Sequence, residues 1–124
     1  MTQAEFDREL AIERAGGQAA LADELHAMLL AELPGRITVL SEALGTTDRR
    51  HLADPVHRLT GSCRYCGVPR LEVAAEALNT RLKAGENPPD DAIEAVVDAA
   101  RAVLRESAPN GSATATVPGP GNCA

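Results

Sequence analysis

Apolar residues recur at steps of three and four along most of this chain, the spacing that places side chains on one side of an α-helix. The longest such stretch begins near Gln18 and ends at Gly45. A proline inside a helix removes a hydrogen bond and costs about 3 kcal/mol, yet the spacing keeps its phase across Pro34. We therefore predict one kinked helix, whose apolar positions are Leu21, Leu25, Met28, Leu29, Leu33, Ile37, Leu40 and Leu44.

A short helix is predicted before this long one. Thr2 and Glu5 have the spacing of a capping box that would begin it, and the pair Gly16-Gly17 would end it. It carries few large apolar residues, Phe6 among them. We therefore expect it to cover one end of a larger helical assembly.

Three further helices follow the long one. We expect Thr47 or Asp48 to cap the third, and Pro55 to loosen or kink its first part. The fourth is predicted to have Pro69 in its first turn and to end at Gly85, and the segment Asn87-Pro-Pro-Asp-Asp91 is predicted to begin the fifth. No alternating pattern typical of a strand competes with these helices.

Four long helices with short connections predict an all-α protein, an antiparallel up-down-up-down four-helix bundle with a short N-terminal capping helix. The chain has 124 residues, with one Phe, one Tyr and no Trp, so its core must be aliphatic. We assign residues 1–107 to this single domain. Residues 108–124 are mainly Gly, Pro, Ser, Thr and Ala, and we expect them to be disordered.

Composition excludes several functional classes. A net charge of −6 argues against a general nucleic-acid binder. No apolar run approaches the ~20 residues of a membrane span, and no basic-then-apolar N-terminus suggests a signal peptide. Three sparse cysteines do not form a disulfide framework, so a reducing cytoplasm fits best. No exposed apolar stripe requires a dimer, and we expect a monomer.

The third helix carries His57 on the side opposite its apolar stripe. The residues predicted to share that exposed side are Arg50, Ala53, Thr60, Gly61 and Arg64. A glycine within a helix costs about 1 kcal/mol relative to alanine, so Gly61 calls for a reason. It either leaves the imidazole uncovered for another molecule, or lets a neighbouring helix pack closely.

The two cysteines of Cys63-Arg-Tyr-Cys66 have a spacing found in zinc and redox sites. No second pair of ligands stands at a suitable distance in the sequence, and both cysteines fall on the apolar side of the third helix. We therefore predict that they pack in the core. His26 and His51 lack a comparable motif and are interpreted as surface or boundary residues.

The segment His57-Arg-Leu-Thr-Gly-Ser62, continued by Tyr65-Cys-Gly-Val-Pro-Arg-Leu71, resembles the phospho-acceptor region of histidine phosphotransfer (HPt) domains. It is most similar to those that end tandem hybrid sensor kinases of the BarA/GacS type, and the resemblance extends from about Phe6 to Arg105. In such domains the histidine accepts a phosphoryl group from a receiver aspartate and passes it to another receiver.

The resemblance implies that His57 is the phospho-acceptor, through Nε2, and that receiver domains are the partners. It implies a phosphoryl carrier rather than an enzyme. No cofactor is expected on this chain, and Mg²⁺ would be bound by the partner receiver only. Many HPt domains carry a lysine three residues after the histidine, where this chain has Thr60.

Arg50, Arg58 and Arg64 would then contact the acidic rim of a receiver, although solvated helix surface explains them equally well. Two alternatives to phosphotransfer remain open at the level of the sequence. One is a non-catalytic helical module that binds receiver or kinase domains. The other, weaker one is a thiol-based redox sensor using Cys63 and Cys66.

Overall fold

The structure, a computed structural model, describes residues 5–107. Within that range the chain is helical and contains no strand. The helices are α1 (Arg8–Arg14), α2 (Ala19–Ala43), α3 (Ala53–Arg64), α4 (Pro69–Lys83) and α5 (Asp90–Ser107). Helix α3 packs against α4, α4 against α5, and α2 against α5 and α3. The predicted all-α bundle of four helices with a short N-terminal helix is confirmed. The predicted tail, 108–124, lies outside the described residues.

One aliphatic core runs through the bundle. Its largest fully buried side chains are Leu29, Leu33, Leu52, Val56, Leu59, Val68, Leu71, Leu78, Ile93, Val96 and Val103. Two positions predicted on the apolar side of α2 are exposed instead, Leu21 and Met28, the latter by 63%. The first turns of α2 pack on α1 through the small side chain of Ala22, so Leu21 beside it faces outward.

The long helix α2 continues through Pro34, as its apolar spacing predicts. The predicted start of α1 is wrong. Asp7 is its N-cap and accepts a hydrogen bond from the N–H of Leu10 at 3.0 Å. Glu5 precedes the helix, and its N–H donates to the carboxylate of Glu106 on α5. Thr2 lies outside the described residues.

A 3₁₀ turn, Arg50–Leu52, leads directly into α3. This is the loosened first part that Pro55 predicts, and the proline falls in the first turn of α3, where its missing N–H is no loss. Asp48 accepts a hydrogen bond from the N–H of Arg50 at 3.1 Å. This bond holds the 3₁₀ turn, whereas α3 itself follows Leu52 without a side-chain cap, so the predicted cap of α3 by Thr47 or Asp48 is wrong.

Helix α1 covers one end of the bundle, as expected, and is fastened there by three residues that we call the N-terminal clasp: Asp7, Arg14 and Gly67. The N–H of Asp7 donates to the carbonyl of Gly67 at 2.7 Å. Arg14 donates to the carbonyl of Cys66 at 2.7 Å and to Glu72 at 2.7 Å. These bonds satisfy groups left unpaired where α3 ends.

Candidate functional site

His57 lies in the second turn of α3 with its side chain exposed. Ala53 and Gly61 lie one helical turn before and after it, on the same side. A Cβ placed on Gly61 would meet nothing within 4 Å. Close packing of a neighbouring helix therefore does not explain this glycine. Since both neighbours are small, the imidazole is open to an approaching molecule.

Thr60 is not on this exposed side, and the prediction that placed it there is wrong. Its side chain is only 1% exposed, and its hydroxyl donates to the carbonyl of Val56 at 2.8 Å and lies 3.4 Å from that of Ala75 on α4. Helix α3 is contacted by α2 on one side and α4 on the other, so its buried arc is wider than its apolar stripe. Thr60 cannot contact a partner from this position.

An open depression on the surface brings His57 together with two residues of α4. It is lined by Ala53, Asp54 and His57 from α3 and by Asn79 and Lys83 from α4. Neither α4 residue was predicted from the sequence. Asn79 had a detectable signal, because it is a polar residue among the buried positions of its helix. Lys83 had none, because a lysine in the last turn of a helix is ordinary.

Asn79 is a buried polar residue in this depression. Its side chain is 5% exposed, and its Oδ1 has no hydrogen-bond partner among residues 5–107. An unpaired buried acceptor costs about 1–3 kcal/mol. We therefore expect Asn79 to lower stability in the depression that it shares with His57.

The arginines predicted near His57 are all exposed, and each has an acidic partner on the same surface. The pairs are Arg50 with Asp48 at 2.9 Å, Arg58 with Asp54 at 3.3 Å and Arg64 with Glu76 at 3.4 Å. Hydrogen bonds from Arg50 lower the pKa of Asp48 to about 2. The charge of these arginines is thus largely balanced within the chain.

The side chain of Ser62, next to Gly61, connects α3 to α2 by a hydrogen bond. Its hydroxyl donates to the carboxylate of Glu32 on α2 at 2.9 Å, and Glu32 also pairs with Arg36 at 2.9 Å. Tyr65 is 63% exposed at the end of α3, beside a groove between α2 and α3 that also contains Met28.

Cys63 and Cys66 are buried in the core, 0% and 2% exposed, as predicted. Burial raises the pKa of the Cys63 thiol to about 12 and that of Cys66 to about 11. Thiols held protonated are poor nucleophiles, which argues against the redox alternative. No group of three metal-binding side chains occurs within residues 5–107.

The other histidines differ from His57 in their surroundings. His26 is half-buried, its ring stacked on Phe6 with 3.7 Å between centroids, and its Nε2 lies 3.2 Å from the hydroxyl of Ser107. Burial lowers its pKa. His51 is exposed in the 3₁₀ turn. The interpretation of both as boundary or surface residues is confirmed.

Comparison with known proteins identifies the family. The Hpt domain family matches residues 24–107. The chain is 38% identical over 100 residues to the sensor protein GacS of Pseudomonas syringae pv. syringae, covering 81% of this chain and 11% of that protein. It is 34% identical over 87 residues to the signal transduction histidine-protein kinase BarA of Escherichia coli strain K12, covering 70% and 10%.

A solved structure agrees with these matches. The HPT domain from a sensor hybrid histidine kinase of Shewanella superposes with a TM-score of 0.76 at 27% identity, covering 82% of this chain and 88% of that one. This chain belongs to the Hpt domain family. It spans only about a tenth of the length of the GacS and BarA proteins. In the part that the structure describes, no helix has the length and apolar character needed to cross a membrane.

Proposed function

We propose that His57 is the phospho-acceptor of a phosphorelay, taking a phosphoryl group from the phospho-aspartate of one receiver domain and passing it to another. The observation that carries this proposal is the column Ala53, His57 and Gly61 on α3. One histidine stands exposed on a helix with small residues on both sides, in a chain of the Hpt domain family. The relatives are sensor kinases by name, which supports receivers as partners.

The chemistry needs only a neutral imidazole and correct positioning. An imidazole is a nucleophile through its unprotonated ring nitrogen. The lone pair of Nε2 attacks phosphorus in line, and the bond from phosphorus to the aspartyl oxygen breaks, leaving a free carboxylate on the receiver. The reverse displacement by a second aspartate restores the imidazole.

The chain acts in this scheme as a carrier. Mg²⁺ belongs to the receiver, where it would neutralise charge on the phosphoryl oxygens. The role of this chain is to present His57 on a rigid helix and to leave room for the receiver. Arg50, Arg58 and Arg64 are exposed around it, and we propose that they assist encounter with an acidic receiver rim. Monomeric state and a cytoplasmic location stay predictions.

The test is phosphoryl transfer from a phosphorylated receiver domain, followed on a phosphate-affinity gel. We expect an acid-labile, alkali-stable label on the wild-type chain and none on His57→Gln. His51→Gln is the matched control, because His51 is also exposed and precedes α3 by two residues. It should be labelled like the wild type.

Two results would contradict the proposal. Label that persists in His57→Gln would place the acceptor elsewhere. A folded wild-type chain that binds a receiver without becoming labelled would favour the non-catalytic interaction module.

A further inference from the structure

A phosphoryl group on His57 would enter a surface that does not favour it. Such a group carries about −1.5 to −2 charges at neutral pH. Asp54 lines the same depression as His57 and is paired with Arg58, so this pair brings no net positive charge to the site. A phosphorylated state that forms readily therefore needs a compensating cation near Nε2.

The arginines around His57 are poorly suited to this task. Arg58 is paired with Asp54 itself, and Arg50 and Arg64 are paired with other acidic residues. Thr60, on the same helix, is buried and uncharged. A charge already engaged by a carboxylate must exchange partners before it can stabilise a phosphoryl group.

Lys83 differs from these arginines in its position and in having no acidic partner among the described residues. It lines the depression together with His57, and within residues 5–107 no salt bridge involves it. Its ammonium is a compact point charge on a flexible four-carbon stem. Lys83 can therefore contact a phosphoryl group on His57 without first breaking a salt bridge.

The packing of α3 on α4 explains how Lys83 reaches this position. Thr60 on α3 lies beside Ala75 on α4, 3.4 Å from its carbonyl oxygen. Because the two helices are antiparallel, moving two turns back along α3 and two turns forward along α4 brings Ala53 beside Lys83. The small side chain of Ala53 leaves the lysine stem free to extend towards His57.

We propose that Lys83 stabilises the phosphorylated state of His57 by direct contact of its ammonium with the phosphoryl oxygens. This inference rests on the proposed function and adds a residue from a second helix to the acceptor site. The prediction is thermodynamic. Lys83 should shift the equilibrium of phosphoryl transfer towards His57, beyond any effect on how fast a receiver docks.

The measurement is the equilibrium constant for transfer between one phosphorylated receiver and this chain, approached from both directions. Lys83→Gln should lower it about three- to tenfold, the range expected for one partly solvated cation beside a dianion. The effect should shrink at high salt, and Lys83→Arg should restore most of it. Arg81→Gln, on the exposed surface of the same helix, is the matched control and should match the wild type.

The outcomes separate the two proposals. If Lys83 serves only docking, forward and reverse rates fall together and the equilibrium constant stays that of the wild type, which overturns this inference. An equal loss in Arg81→Gln would overturn it as well, because the effect would then be one of general surface charge. A folded wild-type chain that accepts no phosphoryl group would overturn the proposed function, and this inference with it.

Discussion

Gly61 and Gly67 lie six residues apart in the same motif, and the structure uses them in opposite ways. At Gly61 an added Cβ would meet nothing within 4 Å. At Gly67 it would overlap the backbone carbonyl of Asp7 and touch the N–H of Ala11. The first glycine keeps a surface open beside His57, whereas the second lets the chain pass close to the end of α3.

The two histidines repeat this contrast. His57 is exposed, whereas His26 is stacked on Phe6 and bonded to Ser107. The surface around His57, with Ala53 and Gly61, is the open region and is free for a partner. The end of the bundle beneath α1, with His26 and Gly67, is the closed region, where hydrogen bonds and packing leave no such surface. We infer that the closed end holds α3 rigid, so that the open surface can present its histidine in one orientation.

The largest expected effect on stability comes from replacing Gly67 by alanine, and the same replacement at Gly61 is its comparison. Gly67→Ala should lower the free energy of unfolding by about 2–3 kcal/mol, because its Cβ must displace the first turn of α1 and stretch the bond from Asp7. Gly61→Ala should leave stability unchanged or raise it by up to about 1 kcal/mol through helix propensity. Urea unfolding of both variants is the measurement.

Equal losses in the two variants would remove the distinction between an open and a closed region.

A bulky replacement, Gly61→Leu, tests the open region through phosphoryl transfer instead of stability. It should keep the stability of Gly61→Ala and slow phosphoryl transfer from a receiver, because its side chain would cover the imidazole. Unchanged transfer in a folded Gly61→Leu would show that access to His57 does not depend on this glycine.

The next largest effect is expected at Arg14. Arg14→Met keeps the apolar stem and removes the hydrogen bonds to the carbonyl of Cys66 and to Glu72. Loss of these charge-assisted bonds to half-buried groups should lower the free energy of unfolding by about 2 kcal/mol. Arg8→Met is the control, since the pair of Arg8 with Asp23 is exposed and its removal should cost much less. Similar losses in both variants would contradict a special role for the clasp.

A smaller effect should appear in the pH dependence of stability. Burial lowers the pKa of His26 in the folded chain, so between its folded value and the unfolded value of about 6.5 the unfolded chain binds more protons. Stability should then fall as the pH drops below about 6.5 and level off below the folded pKa. Asp23, whose charge opposes this shift, moderates the effect.

Urea midpoints between pH 7.5 and pH 5 measure this slope. His26→Gln should lack the part of it due to this histidine, while His51→Gln, which alters an exposed histidine, should retain the full slope. A wild-type slope that His26→Gln leaves unchanged would show that the stacked histidine does not couple folding to protonation.

Local patterns in the sequence predicted most of the fold. Helix α2 through Pro34, the loosened start of α3 and the burial of both cysteines follow from apolar spacing, which is a property of neighbouring residues. Glu5 was misassigned because a capping box is short and recurs by chance. The backbone N–H of Glu5 instead donates to a distant helix.

What the sequence could not predict depends on how distant segments meet. Thr60 is buried because α4 packs beside it, and no spacing within α3 shows which of its sides has a second neighbour. Lys83 reaches the depression through the register of α3 against α4. The need for glycine at position 67 arises from a segment sixty residues earlier in the chain. The motif therefore predicts His57, whereas its α4 neighbours Asn79 and Lys83 follow only from the packing of α4 on α3.

The smallest effect on stability, and a direct test of what the open region is for, is expected at Asn79. Its Oδ1 is buried without a partner among the described residues, so Asn79→Leu, of similar size, should leave stability unchanged or raise it by about 1 kcal/mol. If the amide serves the acceptor site, the same variant should slow phosphoryl transfer. The physical reason is that an imidazole attacking through Nε2 carries its hydrogen on Nδ1, and that hydrogen needs an acceptor.

Thermal or urea unfolding and the transfer rate, measured on the same preparation, decide between the two roles. A more stable chain with slower transfer would mean that the depression keeps the unpaired oxygen of Asn79 for the chemistry of His57. A less stable chain with normal transfer would mean that Asn79 is part of the packing between α3 and α4. The acceptor site would then consist of the exposed side of α3 and Lys83, without a role for the amide of Asn79.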